Sequence, residues 1–372
     1  MSTATSSGSP ARERRGSGFS RDRSVAVASE GLSRLKPLPR RTRRPVAAIA
    51  AMLALSACAE KASPLPALTI DADRVTVSGL SSGAIMAQQV HLAFSRTIDG
   101  AGLVAGPPYG CAEGKLDVAL ARCLVPRDAG PDAAALADVV RARAAAGALD
   151  PVDGLAGDKV WVFHGTGDTL VAEPVARASA ALYDALASDA TVATDFARPT
   201  GHVFPTDARG GDCATTAPPF IGACGFDAAG EIFRTVVGAT AEPAAAASGE
   251  LVAFDQRPFA AGGADPHLAD TGYLYVPGRC RESSCALHIA FHGCEQNADK
   301  IGTAFAGQAG YNRWADAAGV VVLYPQTSAS MLPLNPKACW DWWGYTGPDY
   351  DTRNGAQLRW LANALAAMGV RV

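Results

Sequence analysis

The stretch Val75-Thr76-Val77-Ser78-Gly79-Leu80-Ser81-Ser82-Gly83-Ala84-Ile85-Met86 joins an alternating, β-branched run to a helix-forming one through a Gly-X-Ser-X-Gly turn. Valines two residues apart suit a strand, and the alanine-containing run beyond Gly83 suits a helix. A turn this tight forces Ser81 into a strained backbone conformation, and glycines two residues to either side leave room for strand and helix to approach. That is the sequence form of a nucleophile elbow, with Ser81 as candidate nucleophile. In a chain with 38 glycines the pentapeptide alone carries little weight; its context supplies the rest.

About two hundred residues later, Leu287-His288-Ile289-Ala290-Phe291-His292-Gly293-Cys294 reads as an apolar strand ending in a His-Gly-Cys turn. In an α/β-hydrolase, a turn of this type supplies an oxyanion N–H and precedes the nucleophile. Here the order is reversed, which predicts a circular permutation. The chain would start at the nucleophile strand, near Thr69 to Arg74, and finish with the elements that usually come first. The carboxyl end fits: Arg359 to Leu365 reads as an amphipathic helix, and Gly369 to Val372 as strand-like. Chain ends that lie close together permit such rewiring. The expected fold is a single-domain, circularly permuted α/β-hydrolase with a mostly parallel sheet flanked by helices.

Between the two turns, Lys159-Val160-Trp161-Val162-Phe163-His164-Gly165-Thr166-Gly167-Asp168 is an apolar strand that breaks at glycines before an acid. This is the place for a triad carboxylate, so Asp168 is the candidate; the competing reading makes it only a turn or cap residue. Asp153 and Asp158 precede the strand and fit less well. Hydrolases of this fold run Ser, Asp, His along the chain, which selects His202, in the Gly- and Pro-bounded loop Thr200 to Thr206, as base. His91, His164 and His288 read as buried, hydrogen-bonded residues, His292 as a brace for the His-Gly-Cys turn, and His267 as solvated. Main-chain N–H groups of Ser82 and Cys294 are the expected oxyanion donors.

Residues 1–44 carry eleven Lys/Arg against three Asp/Glu, and Pro45 to Ala57 is an apolar run of thirteen residues. That run is too short to span a bilayer and reads as a secretory signal. Leu55-Ser56-Ala57-Cys58 fits a lipobox that would place a lipid on Cys58, and Ala57-Cys58-Ala59 also fits ordinary signal cleavage. The expected organisation is a signal segment over residues 1–58, a linker over 59–68 and a catalytic domain over 69–372. Without residues 1–44 the net charge falls from −3 to −11, which argues against nucleic-acid binding. Setting Cys58 aside leaves eight cysteines, which suits export with disulfides. Close pairs are Cys111/Cys123, Cys213/Cys224 and Cys280/Cys285, with Cys294/Cys339 as the remainder. No Cys-X-X-Cys pair points to zinc, and neither metal nor organic cofactor is expected.

Cys339-Trp340-Asp341-Trp342-Trp343-Gly344-Tyr345 holds three of the six tryptophans. At least one should pack in the core, and one or two should line a cleft or meet an apolar substrate. Taken together, GLSSG, HGTGD, GHVFPT, HGC and CWDWWGY, in that order, resemble the extracellular poly(3-hydroxybutyrate) depolymerases whose lipase box lies near the mature amino terminus. The resemblance covers most of residues 68–372. It implies Ser81, Asp168 and His202 as the triad, Ser82 and Cys294 as oxyanion donors, and a tryptophan among Trp340, Trp342 and Trp343 in the substrate crevice. The function expected is that of a secreted or envelope-anchored, monomeric serine esterase cleaving poly(3-hydroxybutyrate) or its oligomers. The alternative is a feruloyl or acetyl esterase acting on plant polysaccharide.

Overall fold

Strand β1, Ile70–Leu80, enters at the middle of the molecule's main sheet rather than at an edge. Along the chain follow β2 (Ile98–Val104), β3 (Lys159–Phe163), β4 (Thr191–Asp195) and the short β5 (Phe204–Thr206), β6 (Gly211–Asp212) and β7 (Ile221–Ala223). Then come β8 (Glu250–Asp255), β9 (Thr271–Val276), β10 (Cys285–Phe291) and β11 (Val320–Tyr324). The computed structural model describes residues 62–126, 130–186, 189–260 and 262–372. The predicted signal segment, with Cys58, lies outside the described residues.

The eight-stranded sheet has the order β4-β3-β2-β1-β10-β11-β9-β8, and β9 alone runs against the rest. From β1 the chain builds outward to one edge, crosses to the other, and returns inward to β10 and β11. Joining the carboxyl-terminal helix Ala356–Ala367 to β1 would make a continuous path from β8 to β4. The chain ends support this closure: Thr97 Oγ1, just before β2, donates to the Arg371 carbonyl at 3.2 Å, and Val372, Leu68 and Ile70 pack on one core. Gly369 to Val372 is irregular, contrary to the strand expected there. Both edges of β1 are already occupied, by β2 and β10, which leaves no place beside it.

The described part of the expected linker is docked. Ser63 N donates to Ala253 O at 3.3 Å, Asp255 N donates to Ser63 O at 2.8 Å, and Leu65 and Leu68 pack against the core. One apolar layer fills the face shared by the helices Ser82–Ala93 and Ala356–Ala367, with Val75, Val77 and Leu361 buried in it. A second, around Phe233 and Trp314, fills another region of the interior. The elbow helix is buried along all twelve residues, so its position is fixed by packing on every side.

Parallel pairing aligns the functional loops. Register places Gly79 opposite Phe291 and Leu80 opposite Val104, while Val104 pairs with Phe163 and Phe163 with Asp195. The segments after β1, β10, β3 and β4 therefore leave the same carboxyl edge of the sheet, where ligands bind in open α/β folds.

Candidate active site

At the elbow, Ser81 has φ 58° and ψ −120°, a strained conformation for a residue with a side chain. Its N–H donates to Val104 O at 2.8 Å, and its carbonyl accepts the amides of Ala84 and Ile85. A Cβ on Gly79 would lie 2.3 Å from Gly83 C, and one on Gly83 would lie 2.3 Å from Phe291 O. Both glycines are thus demanded by the crowding of β1, the elbow helix and β10, as the sequence suggested.

Asp168 follows β3 and is held by two amides: Leu170 N donates to Oδ1 at 2.8 Å and Val171 N at 3.0 Å. Oδ2 receives the His202 Nδ1 proton at 2.7 Å. Burial pushes the Asp168 carboxyl upward, but the hydrogen bond and charge of His202, with those two amides, outweigh it and hold the group below the ordinary carboxylate value. With Nδ1 committed to a carboxylate, Nε2 of His202 carries the free lone pair, the state a general base needs. The base loop is fixed in turn by His202 N donating to Thr216 Oγ1 at 2.9 Å.

Ser81, Ser82, His202 and Cys294 line one cavity of about 400 Å³. The amides of Ser82 and Cys294 donate to no acceptor among the described residues. One stands in the first turn of the elbow helix and the other in the His-Gly-Cys turn, so both are available to an oxygen developing negative charge. The His-Gly-Cys turn is braced as predicted: His292 Nδ1 donates to Gly293 O at 2.7 Å and Nε2 accepts Thr327 N at 3.3 Å. Burial depresses the His292 imidazole to about 4, so it stays neutral there.

All four cysteine pairs are formed: Cys111–Cys123, Cys213–Cys224, Cys280–Cys285 and Cys294–Cys339. The last ties the His-Gly-Cys turn to the tryptophan loop. That loop is wound around Asp341, whose Oδ1 accepts the amides of Trp343, Gly344 and Tyr345 and whose Oδ2 accepts that of Thr346. The winding sends the tryptophans in different directions. Trp342 and Trp343 line the cavity. Trp340, expected among the crevice candidates, instead lies in the core at 1 % exposure against Phe291 and His292. It directly follows the disulfide-anchored Cys339, which holds it beneath β10 and out of the crevice.

The other histidines are placed as read, with one exception. His91 is buried between Asp158 and Tyr183, and His288 between Thr76 and Ser78. His164 is buried and bonds the Val171 carbonyl. His267, expected to be solvated, is half-buried with its ring beside Tyr345, because the loop carrying it folds back over the tryptophan segment. Among the described residues no cluster of His, Cys, Asp or Glu could hold a metal ion.

Sequence reading missed most of the cavity wall. Leu116, Leu120 and Leu124 form one side, with Ile85, Leu170 and Leu334 elsewhere. The signal was present: leucines at four-residue spacing, beginning on the helix Leu116–Arg122 inside the Cys111–Cys123 loop, make one helical stripe. Leu120 and Leu334 remain about half exposed, at 55 % and 50 %, so the apolar wall continues onto the surface.

The chain resembles known proteins in both sequence and fold. The family model described as Esterase PHB depolymerase matches residues 271–367. The chain is 38 % identical over 314 residues to a poly(3-hydroxybutyrate) depolymerase of Delftia acidovorans, an alignment covering 83 % of this chain but 61 % of that protein's length. It is 33 % identical to a polyhydroxybutyrate depolymerase of Talaromyces funiculosus, covering 83 % of this chain and 94 % of the relative. Among solved structures it resembles the PHB depolymerase of Penicillium funiculosum, with TM-score 0.74, 29 % identity and coverage of 83 % and 100 %. It also resembles a serine-to-alanine PHB depolymerase complexed with an R3HB trimer, with TM-score 0.73, 29 % identity and coverage of 82 % and 98 %. With 94 % of one relative's length spanned at 33 % identity and the fold shared over about 83 % of this chain, the chain belongs to the PHB depolymerase family of carboxylic ester hydrolases.

Proposed function

We propose that this protein is a serine esterase that hydrolyses poly(3-hydroxybutyrate) or its oligomers through an acyl-enzyme on Ser81. The observation that carries this reading is the His202–Asp168 pair, with Nε2 free, in the same cavity as the elbow serine and two unpaired amides. His202 Nε2 takes the Ser81 hydroxyl proton as Oγ bonds to the ester carbonyl carbon. The amides of Ser82 and Cys294 hold the tetrahedral oxyanion. On collapse the C–O bond to the alkoxy group breaks, and the imidazolium returns its proton to that leaving oxygen. Water, deprotonated by the same nitrogen, attacks the acyl carbon; the ester to Ser81 breaks, and Oγ recovers its proton as the hydroxybutyrate acid departs.

The substrate class follows from the relatives' names and from the wall. Leucines, Ile85 and two tryptophans suit a chain of short aliphatic esters that lacks charge along its length. The charged lining side chains Glu295 and Lys337 pair with each other at 2.8 Å and so make few demands on a ligand. This wall suits hydroxybutyrate esters better than hydroxyl-rich polysaccharide esters. Four disulfides suit an oxidising compartment, in keeping with secretion or with a lipid anchor on Cys58. The test is hydroxybutyrate release from the 3-hydroxybutyrate trimer beside feruloyl and acetyl-sugar esters. Preference for the trimer, lost in Ser81→Ala, is expected; preference for the aryl or sugar ester would replace the substrate reading.

A further inference from the structure

The mechanism above leaves one buried polar residue beside its carboxylate unused. His164 follows directly on β3, at 2 % exposure, and its main-chain N–H donates to Asp195 O at the end of β4. Its ring Nε2 lies 2.7 Å from the Val171 carbonyl. A carbonyl only accepts, so this nitrogen carries the ring proton. The amide of that same Val171 donates to Asp168 Oδ1. His164 therefore closes the acid loop from behind, gripping the residue whose amide holds the carboxylate. The ring edge is 3.9 Å from Asp168 Oδ2, too long for a hydrogen bond and on the oxygen that His202 uses.

The loop is sewn to the base loop as well. Thr166 N donates to Arg198 O at 2.8 Å and Gly167 N to Thr200 O at 3.1 Å. Just before them, Gly165 leaves no room for a side chain, since a Cβ there would sit 2.0 Å from Thr200 Oγ1. These bonds set the two loops' separation but not the tilt of the carboxylate, which rests on the amides of Leu170 and Val171. Of those two residues, Val171 is the one a buried side chain anchors. Val171 and Leu170 also line the cavity, so the same ring indirectly fixes part of the wall.

We infer that His164 is a positioning residue, which fixes Asp168 for its bond to His202 through the Val171 carbonyl. This rests on the triad reading above. The test compares His164→Phe, which keeps the ring's bulk but removes the donor, with His164→Gln, whose amide can replace Nε2–H. Hydrolysis of the trimer by His164→Phe should show kcat reduced about 10- to 100-fold with KM within about twofold, and His164→Gln should recover to within about threefold of wild type. The downfield proton NMR resonance of the His202 Nδ1–H should move in the Phe variant and return in the Gln variant. If His164→Phe does not fold, His164→Met carries the same comparison. Unchanged kcat in a donor-less variant overturns the inference, as do equal losses in the Phe and Gln variants with the His202 resonance unmoved. Ser81→Ala, run alongside, separates the two claims: retained turnover there defeats the triad reading itself, whatever His164 does.

Discussion

Two histidine–aspartate pairs occupy opposite ends of strand β3, and only one has the makings of a catalytic pair. His202–Asp168 spans 2.7 Å beyond the strand's carboxyl end; His91–Asp158 spans 2.9 Å before its amino end. The bonds are alike, so the bond does not decide function. In the second pair both ring nitrogens are engaged, Nε2 by Asp158 and Nδ1 by the Tyr183 hydroxyl, and the ring, carried on the elbow helix, is wholly buried. In the first, one nitrogen is free and looks into a cavity shared with a strained serine. A histidine–carboxylate pair becomes a general base only where the fold leaves a lone pair facing the reacting atom.

The largest expected contrast comes from the nucleophile. Ser81→Ala should lower kcat on the trimer by about 10⁴- to 10⁶-fold, with the thermal unfolding midpoint nearly unchanged. Asp168→Asn should lower kcat by about 10⁴-fold, because the amide can stabilise the wrong imidazole tautomer. The matching change in the other pair, Asp158→Ala, should leave kcat within about threefold and cost about 2 kcal/mol of stability, measured by denaturant unfolding. Equal kinetic losses in the two pairs would erase the distinction drawn between them.

The tryptophan loop repeats the contrast on a smaller scale. Trp342→Ala should raise KM for the trimer about tenfold and, because its ring is itself buried against Trp343, also lower stability by about 3 kcal/mol. Trp340→Ala should leave KM nearly unchanged in whatever protein folds, and lower stability by about 3 to 5 kcal/mol by emptying a core site.

Most of the fold was legible in the sequence because its signals are local. The elbow needs two glycines that only a crowded turn explains, and the reversed order of the two turns announces the permutation that the strand order carries out. Three cysteine pairs followed from spacing, and Cys294–Cys339 from what they left over. The fate of the tryptophans was not legible, since CWDWWGY does not reveal that Asp341 gathers four amides and winds the loop around itself. Nor was the strand misread at Gly369 to Val372 avoidable from propensity alone: whether an apolar tail pairs depends on a vacant sheet edge, and β1 has none. The leucine stripe of the cavity wall could have been found by its period.

The smallest effect concerns two carboxylates at opposite ends of the sheet. Asp168 is held below its ordinary value by His202 and two amides, whereas Asp99, still exposed at the sheet's other end where it accepts Val75 N, is raised from 3.8 to about 6 by partial desolvation and by the nearby Asp158, Asp73 and Asp71 carboxylates. A carboxyl with a raised folded value takes up a proton on folding, so its contribution to stability falls as pH rises from about 4 through 6. His288 and His292 act oppositely: burial lowers them from 6.5 to about 3 and about 4, and the stability they confer above pH 6.5 is lost as pH falls through that range. Unfolding curves of Asp99→Asn against pH should lose the first component and keep the second. A curve identical to wild type would contradict the placement of Asp99.

The most direct trial of the central claim is rapid-quench mass spectrometry during turnover of a chromogenic 3-hydroxybutyrate ester. A hydroxybutyryl adduct on the peptide bearing Ser81, appearing with the burst of chromophore and accumulating poorly in Asp168→Asn, is the predicted result. Turnover with no adduct on that serine, or with the acyl group on another residue, would contradict it.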